Sequence, residues 1–258
     1  MTTPPELDAS PDYSIRFIEE LSLTALPALQ TAYYDGWVLR FARGFTRRAN
    51  SVNPIYLSTA DVDEKIRQCE QLYIAHKLPT VFKMTPTCYP VDLDRQLAFH
   101  NYKEEGGASV QVCDLTALET SSAVELAVSS HLTDEWLDAY FRLNLTPERH
   151  LKVMGQILNA ILPQKCCAAL YRDKAIVAVG LGVLDQGYLG LFDIVTQAEV
   201  RRQGLGRQLV MGLLDWGKTN GATRAYLQVV PTNTPALNLY EALGFREAYQ
   251  YWYRTKIL

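Results

Sequence analysis

Residues Leu191 to Gly206 read L-F-D-I-V-T-Q-A-E-V-R-R-Q-G-L-G. An apolar run leads into a short polar turn and then into Arg201-x-x-Gly204-x-Gly206, which opens an amphipathic segment. Strand, glycine-containing turn and helix N-terminus, in that order, build an anion site. Backbone N–H groups at a helix start lack intrahelical partners and carry partial positive charge. Glycine lets an anion such as a phosphate approach the main chain with no Cβ in the way.

Downstream, Leu205, Leu209, Leu213 and Trp216 recur at helical spacing, and Gly221 is a stop signal. A strand is expected over Ala225 to Val230. Residues 233–245 then read N-T-P-A-L-N-L-Y-E-A-L-G-F. Here Thr234 can cap a helix and Pro235 can take its first position. Ala236, Leu239 and Leu243 form the buried face, Gly244 ends the helix, and Phe245 starts a further strand.

The pairing of R-x-x-G-x-G with N-x-x-A-x-x-L-Y-x-x-x-G-F at this distance resembles the GCN5-related N-acetyltransferase (GNAT) superfamily, most strongly from Leu189 to Phe245. The resemblance implies an α/β fold with a mixed central sheet and flanking helices. It implies acetyl transfer from acetyl-CoA to a primary amine by direct attack on the thioester. The pyrophosphate would lie on the backbone amides of Arg202, Gln203, Gly204, Leu205, Gly206 and Arg207, with Arg201 adding charge. The pantetheine would pair with the strand from Asp193 to Thr196, and the Val195 N–H would face the thioester oxygen. Tyr240 falls at the general-acid position, although a helix tyrosine can simply pack. Asn233 matches a cofactor-contacting asparagine, with loop capping as the alternative.

The amine must lose a proton before it attacks, because an alkylamine is mostly protonated at neutral pH. Asp193 lies two residues before Val195, so strand alternation puts both on one face. It is the first candidate for the base, and it could equally bind a cationic acceptor. Glu199, in the turn, is the second candidate.

The chain has 258 residues, 48% of them hydrophobic, enough for a sizeable core and for two domains. The formal net charge of -3 argues against a general nucleic-acid binder, which needs a basic face. An odd count of five cysteines without metal spacing points to small apolar residues in a reducing compartment. No metal site is expected, and no apolar run reaches membrane-spanning length. A soluble cytoplasmic protein is the expectation. The family often dimerises, so a homodimer is an expectation without an assigned surface.

In the first half, a loose tail covers residues 1–13 and a helix spans Ile15 to Leu26. Strands around Gly44 form a hairpin carrying Arg40, Arg43, Arg47 and Arg48. This hairpin is either solvated or reaches over a cleft to select an anionic acceptor. Asp61 opens a helix in which His76 is read as a packed residue. Residues 79–102 and 225–245 both run strand, proline, loop, proline, short helix and aromatic. This pattern reads as a tandem duplication. Where the second copy has R-R-Q-G-L-G, the first has T-A-D-V-D-E, whose acidic side chains repel a pyrophosphate. Two related domains are therefore expected: 1–115, a degenerate copy, and 116–258, the acetyl-CoA-binding one. The linker is placed at Asp114 to Ser122, with a helix near Ala123–His131. The expected acceptor is a small-molecule amine. The alternatives are a protein or peptide amine, or an acyl-CoA-binding regulatory module without catalysis.

Overall fold

The computed structural model describes residues 15–118 and 126–257. The expected tail lies outside them, as do residues 119–122 of the expected linker. Eleven strands form one open mixed sheet. In chain order they are β1 (Gln30–Tyr34), β2 (Trp37–Phe41), β3 (Val52–Asn53), β4 (Thr80–Met84), β5 (Lys103–Asp114), β6 (Ala127–Ser129), β7 (Gln164–Arg172), β8 (Ala175–Asp185), β9 (Tyr188–Thr196), β10 (Arg224–Val229) and β11 (Arg246–Lys256). Their spatial order is β1-β2-β3-β4-β11-β5-β10-β9-β8-β7-β6.

Among the described residues seven α-helices flank the sheet: α1 (Ile15–Ala25), α2 (Val62–Ala75), α3 (Leu93–Phe99), α4 (Asp134–Asn144), α5 (Leu151–Asn159), α6 (Leu205–Thr219) and α7 (Thr234–Ala242). Helices α1, α4 and α5 bury Ile18, Leu21, Trp136 and Met154 on one face, against Val110, Phe192 and Tyr226 of the sheet. Helices α6 and α7 cover another face through Leu209, Leu213 and Leu243. Each such buried leucine contributes roughly 2 kcal/mol relative to exposure. The adjacent cysteines divide between these two cores, Cys167 in the first and Cys166 in the second, as strand alternation requires. All five cysteines are buried free thiols.

The order of strands at the centre of the sheet is the unusual feature. Strand β3 runs parallel to β4, and β9 runs parallel to β10. A helix crosses between the strands of each pair, α2 in the first and α6 in the second. The strand beside β4 is then β11, and the strand beside β10 is β5, both antiparallel. Each crossover unit is extended by the last strand of the other half, and β11 and β5 also pair with each other. The division at 115/116 therefore runs through one continuous sheet.

Two local readings are corrected, and one is extended. The helix expected near Ala123–His131 is, where described, the short edge strand β6, paired with β7. The hairpin expected around Gly44 is present as β2–β3, paired antiparallel at Val38–Asn53 and Leu39–Val52, and a further hairpin, β1–β2, turns at Asp35-Gly36. Residues 42–51 form a loop tied by Asn50. Its Oδ1 accepts the N–H groups of Ala42 at 2.7 Å and Gly44 at 2.9 Å, and its Nδ2 donates to the carbonyls of Phe45 and Thr46. His76 is exposed at the C-terminus of α2 rather than packed, with its ring stacked 4.5 Å from Phe41.

Candidate active site

Strands β9 and β10 are joined from Tyr188–Arg224 to Leu191–Leu227, and there the ladder stops. On its other side β9 stays paired with β8 as far as Thr196. One edge of β9 from Phe192 onward therefore has no strand against it. This is the edge a pantetheine chain would need, since its amides can pair as an added strand would.

The same stretch carries a bulge. Val179 faces Val195 and Leu181 faces Phe192, so Gly180 opposes both Asp193 and Ile194. Asp193 takes up the extra residue with φ 53°, in the left-handed region. Aspartate tolerates that region better than most residues. Phe192 and Val195 pack on the α4 side, and Asp193 bonds to Tyr140 of α4. The expected shared face of Asp193 and Val195 therefore arises through a bulge and not through simple alternation.

Asp193 is poorly satisfied. The Tyr140 hydroxyl donates to its Oδ1 at 3.2 Å, while Oδ2 is buried with no hydrogen-bond partner. Burial pushes its carboxyl above the usual carboxylate range, against the opposing pull of the Arg48 guanidinium and the Tyr140 hydrogen bond. Tyr140 is itself fixed by stacking on Trp136, with ring centroids 5.6 Å apart. The i, i+4 spacing of these aromatics was visible in the sequence. Their link to Asp193 was not, because it spans 53 positions.

Beyond Thr196 the chain enters the turn. Arg202 and Gly204 both have positive φ, 61° and 81°. A Cβ at Gly204 would meet nothing within 4 Å. The backbone N–H groups of residues 202–207 donate to no described residue, and Gly204 sits at the N-cap of α6 without a side chain to fill it. This concave run of free amides at a helix start is an anion cradle. Arg201, Arg202 and Arg207 are exposed, with no side-chain partner among the described residues. Gln203 is held by Arg172 at 2.7 Å. A Cβ at Gly206 would lie 3.9 Å from Cγ2 of Thr196, so the cradle directly continues the open edge of β9. Glu199 is exposed in a single 3-10 turn.

Tyr240 is buried on α7, edge-on to Phe245 at 5.8 Å, and its hydroxyl has no described partner. Burial raises it to about 12, so it keeps its proton at neutral pH. Asn233 does cap α7: its Oδ1 accepts from Ala236 N–H at 3.3 Å. The cap is one residue earlier than the expected Thr234.

The corresponding place in the first half is closed. Asp61 caps α2 by accepting the Glu64 N–H at 3.0 Å. Asp35 accepts the N–H groups of Thr59 and Ala60, both at 2.9 Å or less, and the Ser58 hydroxyl. Carboxylates of the protein thus occupy the amides that the second half leaves free. Among the described residues no group of histidine, cysteine and carboxylate side chains is arranged to hold a metal ion, and no helix is long and apolar enough to cross a membrane.

The comparisons agree with this fold. Residues 13–254 match the family described as Probable histone acetyltransferase Rv0428c C-terminal. An uncharacterized N-acetyltransferase, YobR, of Bacillus subtilis is 33% identical over 254 residues, covering 94% of this chain and 98% of its own. Among solved structures, a GCN5-related N-acetyltransferase from Kribbella flavida superposes with a TM-score of 0.70 at 14% identity, covering 93% of this chain and 95% of its own. A tandem GNAT protein from the clavulanic acid biosynthesis pathway gives 0.62 at 12% identity, covering 93% and 87%. The chain belongs to the GNAT superfamily of acetyltransferases.

Proposed function

We propose that this chain transfers an acetyl group from acetyl-CoA to a primary amine of a small molecule. The observation that carries this reading is the continuity of the open edge of β9 with the free amides around Gly204. A pantetheine and its pyrophosphate need those two features in that order. The residues present fit the group: the cradle is unfilled, strongly dipolar and flanked by unpaired arginines.

Bound there, acetyl-CoA supplies a thioester activated towards amines. The amides of residues 202–207 hold the pyrophosphate, with Arg201, Arg202 and Arg207 adding charge. The edge from Asp193 to Thr196 aligns the pantetheine, and the Val195 N–H stabilises charge developing on the acetyl oxygen. Asp193, a stronger base than an ordinary carboxylate because of its burial, takes in its ionised form the proton that the amine sheds. Tyr240, protonated at neutral pH, gives its proton to the departing sulfur. Asn233 sets the start of α7 and so the position of Tyr240. Five buried free thiols support a reducing, cytoplasmic setting.

We also propose that residues 1–115 and 116–258 are two copies of one unit, the first without a cofactor site. The repeated crossover and the filled amides at Asp35 and Asp61 support this. Calorimetric titration with acetyl-CoA tests the central reading. Binding by the native chain that Gly204→Glu abolishes supports it, and no binding by the native chain removes it.

A further inference from the structure

Resting on the acetyl-transfer reading, we infer that the acceptor is a small primary amine with a carboxylate close to it, the amine taken by Oδ2 of Asp193 and the carboxylate by Arg48. The four arginines of the 40–48 segment have different fates. Arg40 is buried and spends its guanidinium on the carbonyls of Leu23, Leu26 and Arg48. Arg43 is exposed. Arg47 pairs with Glu105 at 2.6 Å and lies 5.6 Å from the centre of the Tyr253 ring.

Arg48 is partly buried and interacts electrostatically with residues of the second half. Asp193, Tyr140, Tyr251 and Tyr253 lie within its electrostatic reach, and with Arg40 and Lys83 it lines a cavity that Phe192, the residue beside Asp193, also borders. Its guanidinium makes no hydrogen bond or ion pair with a described residue, so it does not neutralise Asp193 by contact. Its backbone is fixed nonetheless, since Arg40 binds its carbonyl at 2.6 Å and Asn50 ties the loop.

Two uncommitted groups of opposite charge thus share one partly desolvated site. A buried carboxylate oxygen without a donor is costly, and a ligand N–H answers it. The other charges facing the site are already spent. Lys83 is paired with Glu19 at 2.5 Å and lies over the Tyr251 ring at 4.1 Å. Tyr249 donates to Glu19 at 2.7 Å, and Tyr251 donates to Gln228 at 3.1 Å. What remains is one cation and one anion. A diamine would set its second charge against Arg48. An amine carrying a carboxylate satisfies both groups, and a guanidinium matches a carboxylate in a two-pronged geometry. A peptide N-terminus offers an amide where the carboxylate is needed.

The test uses the full-length chain with acetyl-CoA and follows CoA release. The acceptors are the standard amino acids, each beside its own carboxamide, plus short peptides. A carboxamide's amine is less basic and so more often neutral, which biases the comparison against the proposal. The expected result is at least one amino acid preferred over its carboxamide by about 10-fold or more in kcat/KM. Arg48→Gln should collapse that ratio through the amino acid's KM, and Arg48→Lys should keep part of it. The proposal is overturned if carboxamides or peptides match the amino acids, or if Arg48→Gln leaves the ratio unchanged. It is also overturned if no amino acid is turned over by a chain that binds acetyl-CoA. A chain that fails to bind acetyl-CoA removes the acetyl-transfer reading itself, and this one with it.

Discussion

The hydroxyl of Tyr140 donates to Oδ1 of Asp193 at 3.2 Å, joining helix α4 to the bulge of β9 and leaving the second carboxylate oxygen buried and unpaired. The carboxylate is therefore oriented from one side and available from the other. That arrangement suits a proton acceptor and is costly to the fold.

Asp193→Asn separates those two effects. Asparagine also tolerates a positive φ, so the bulge should survive. As a base, Asp193 must be ionised, so loss of its charge should lower kcat/KM by roughly 100-fold or more. Stability should move the other way. The folded-state pKa is raised, so the contribution of Asp193 to stability is complete at acid pH and is lost as pH rises through the raised value. The variant should be more thermostable than the native chain at neutral pH, and the difference should vanish on acidification. Full kcat/KM across the pH range in Asp193→Asn would falsify the base assignment.

Tyr240→Phe removes a hydroxyl that no described residue uses. The ring and its edge contact with Phe245 remain, so folding and acetyl-CoA affinity should hold. Turnover should fall by about 10²-fold or more if the hydroxyl protonates the leaving sulfur. Steady-state kinetics beside a binding titration checks this. Unchanged turnover would leave Tyr240 a packing residue.

Gly204 has φ 81° and open space around it. Gly204→Ala meets no steric obstacle, so its cost is conformational, about 1 kcal/mol. Gly204→Glu adds a negative charge to the cradle itself. The first should keep measurable acetyl-CoA binding and the second should lose it. Equal loss in both would mean that backbone geometry, and not the anion site, governs affinity.

Asp35 performs in the first half the task that a bound anion would perform in the second. It also pairs with Lys65 at 3.1 Å, whose amine lies 3.9 Å over the Trp37 ring with its side chain fully buried. Asp35→Ala frees two amides and strands a buried ammonium. It should lower the denaturant midpoint clearly more than Lys65→Met, which removes the ammonium along with its need for a partner. Acetyl-CoA binding at Gly204 should persist in whatever fraction stays folded. A larger loss from Lys65→Met would contradict this ranking.

The parts of the site written in local sequence were legible. The turn at Gly204, the start of α6, the α7 segment and the strands on either side follow from glycine placement and helical spacing. Three features were not legible, each for a physical reason. The bulge at Asp193 carries no glycine or proline signal, because a left-handed aspartate suffices. The placement of Arg48 depends on how Asn50 folds its loop, which leaves Arg43 and Arg47 exposed and Arg48 partly buried. The placement of β11 is a matter of partners: alternation over residues 246–256 shows a strand but not its neighbours. The misread segment at Ala127–Ser129 is too short for periodicity to separate strand from helix.

Strand β11 separates β4 from β5, although those two strands are close in sequence. During synthesis, neither β4 nor β5 can gain its final neighbour until residues 246–256 have emerged. The first half then waits on β11, and completion of the sheet is postponed until residues 246–256 have been made. Pairings of such long sequence separation are slow to form and leave strand edges bare in the interval. The same threading afterwards denies the two halves separate lives: they cannot unfold one at a time, rotate as hinged bodies or be divided into working fragments. The segments that carry Arg48 and Asp193 are thereby joined through shared strands rather than through a linker.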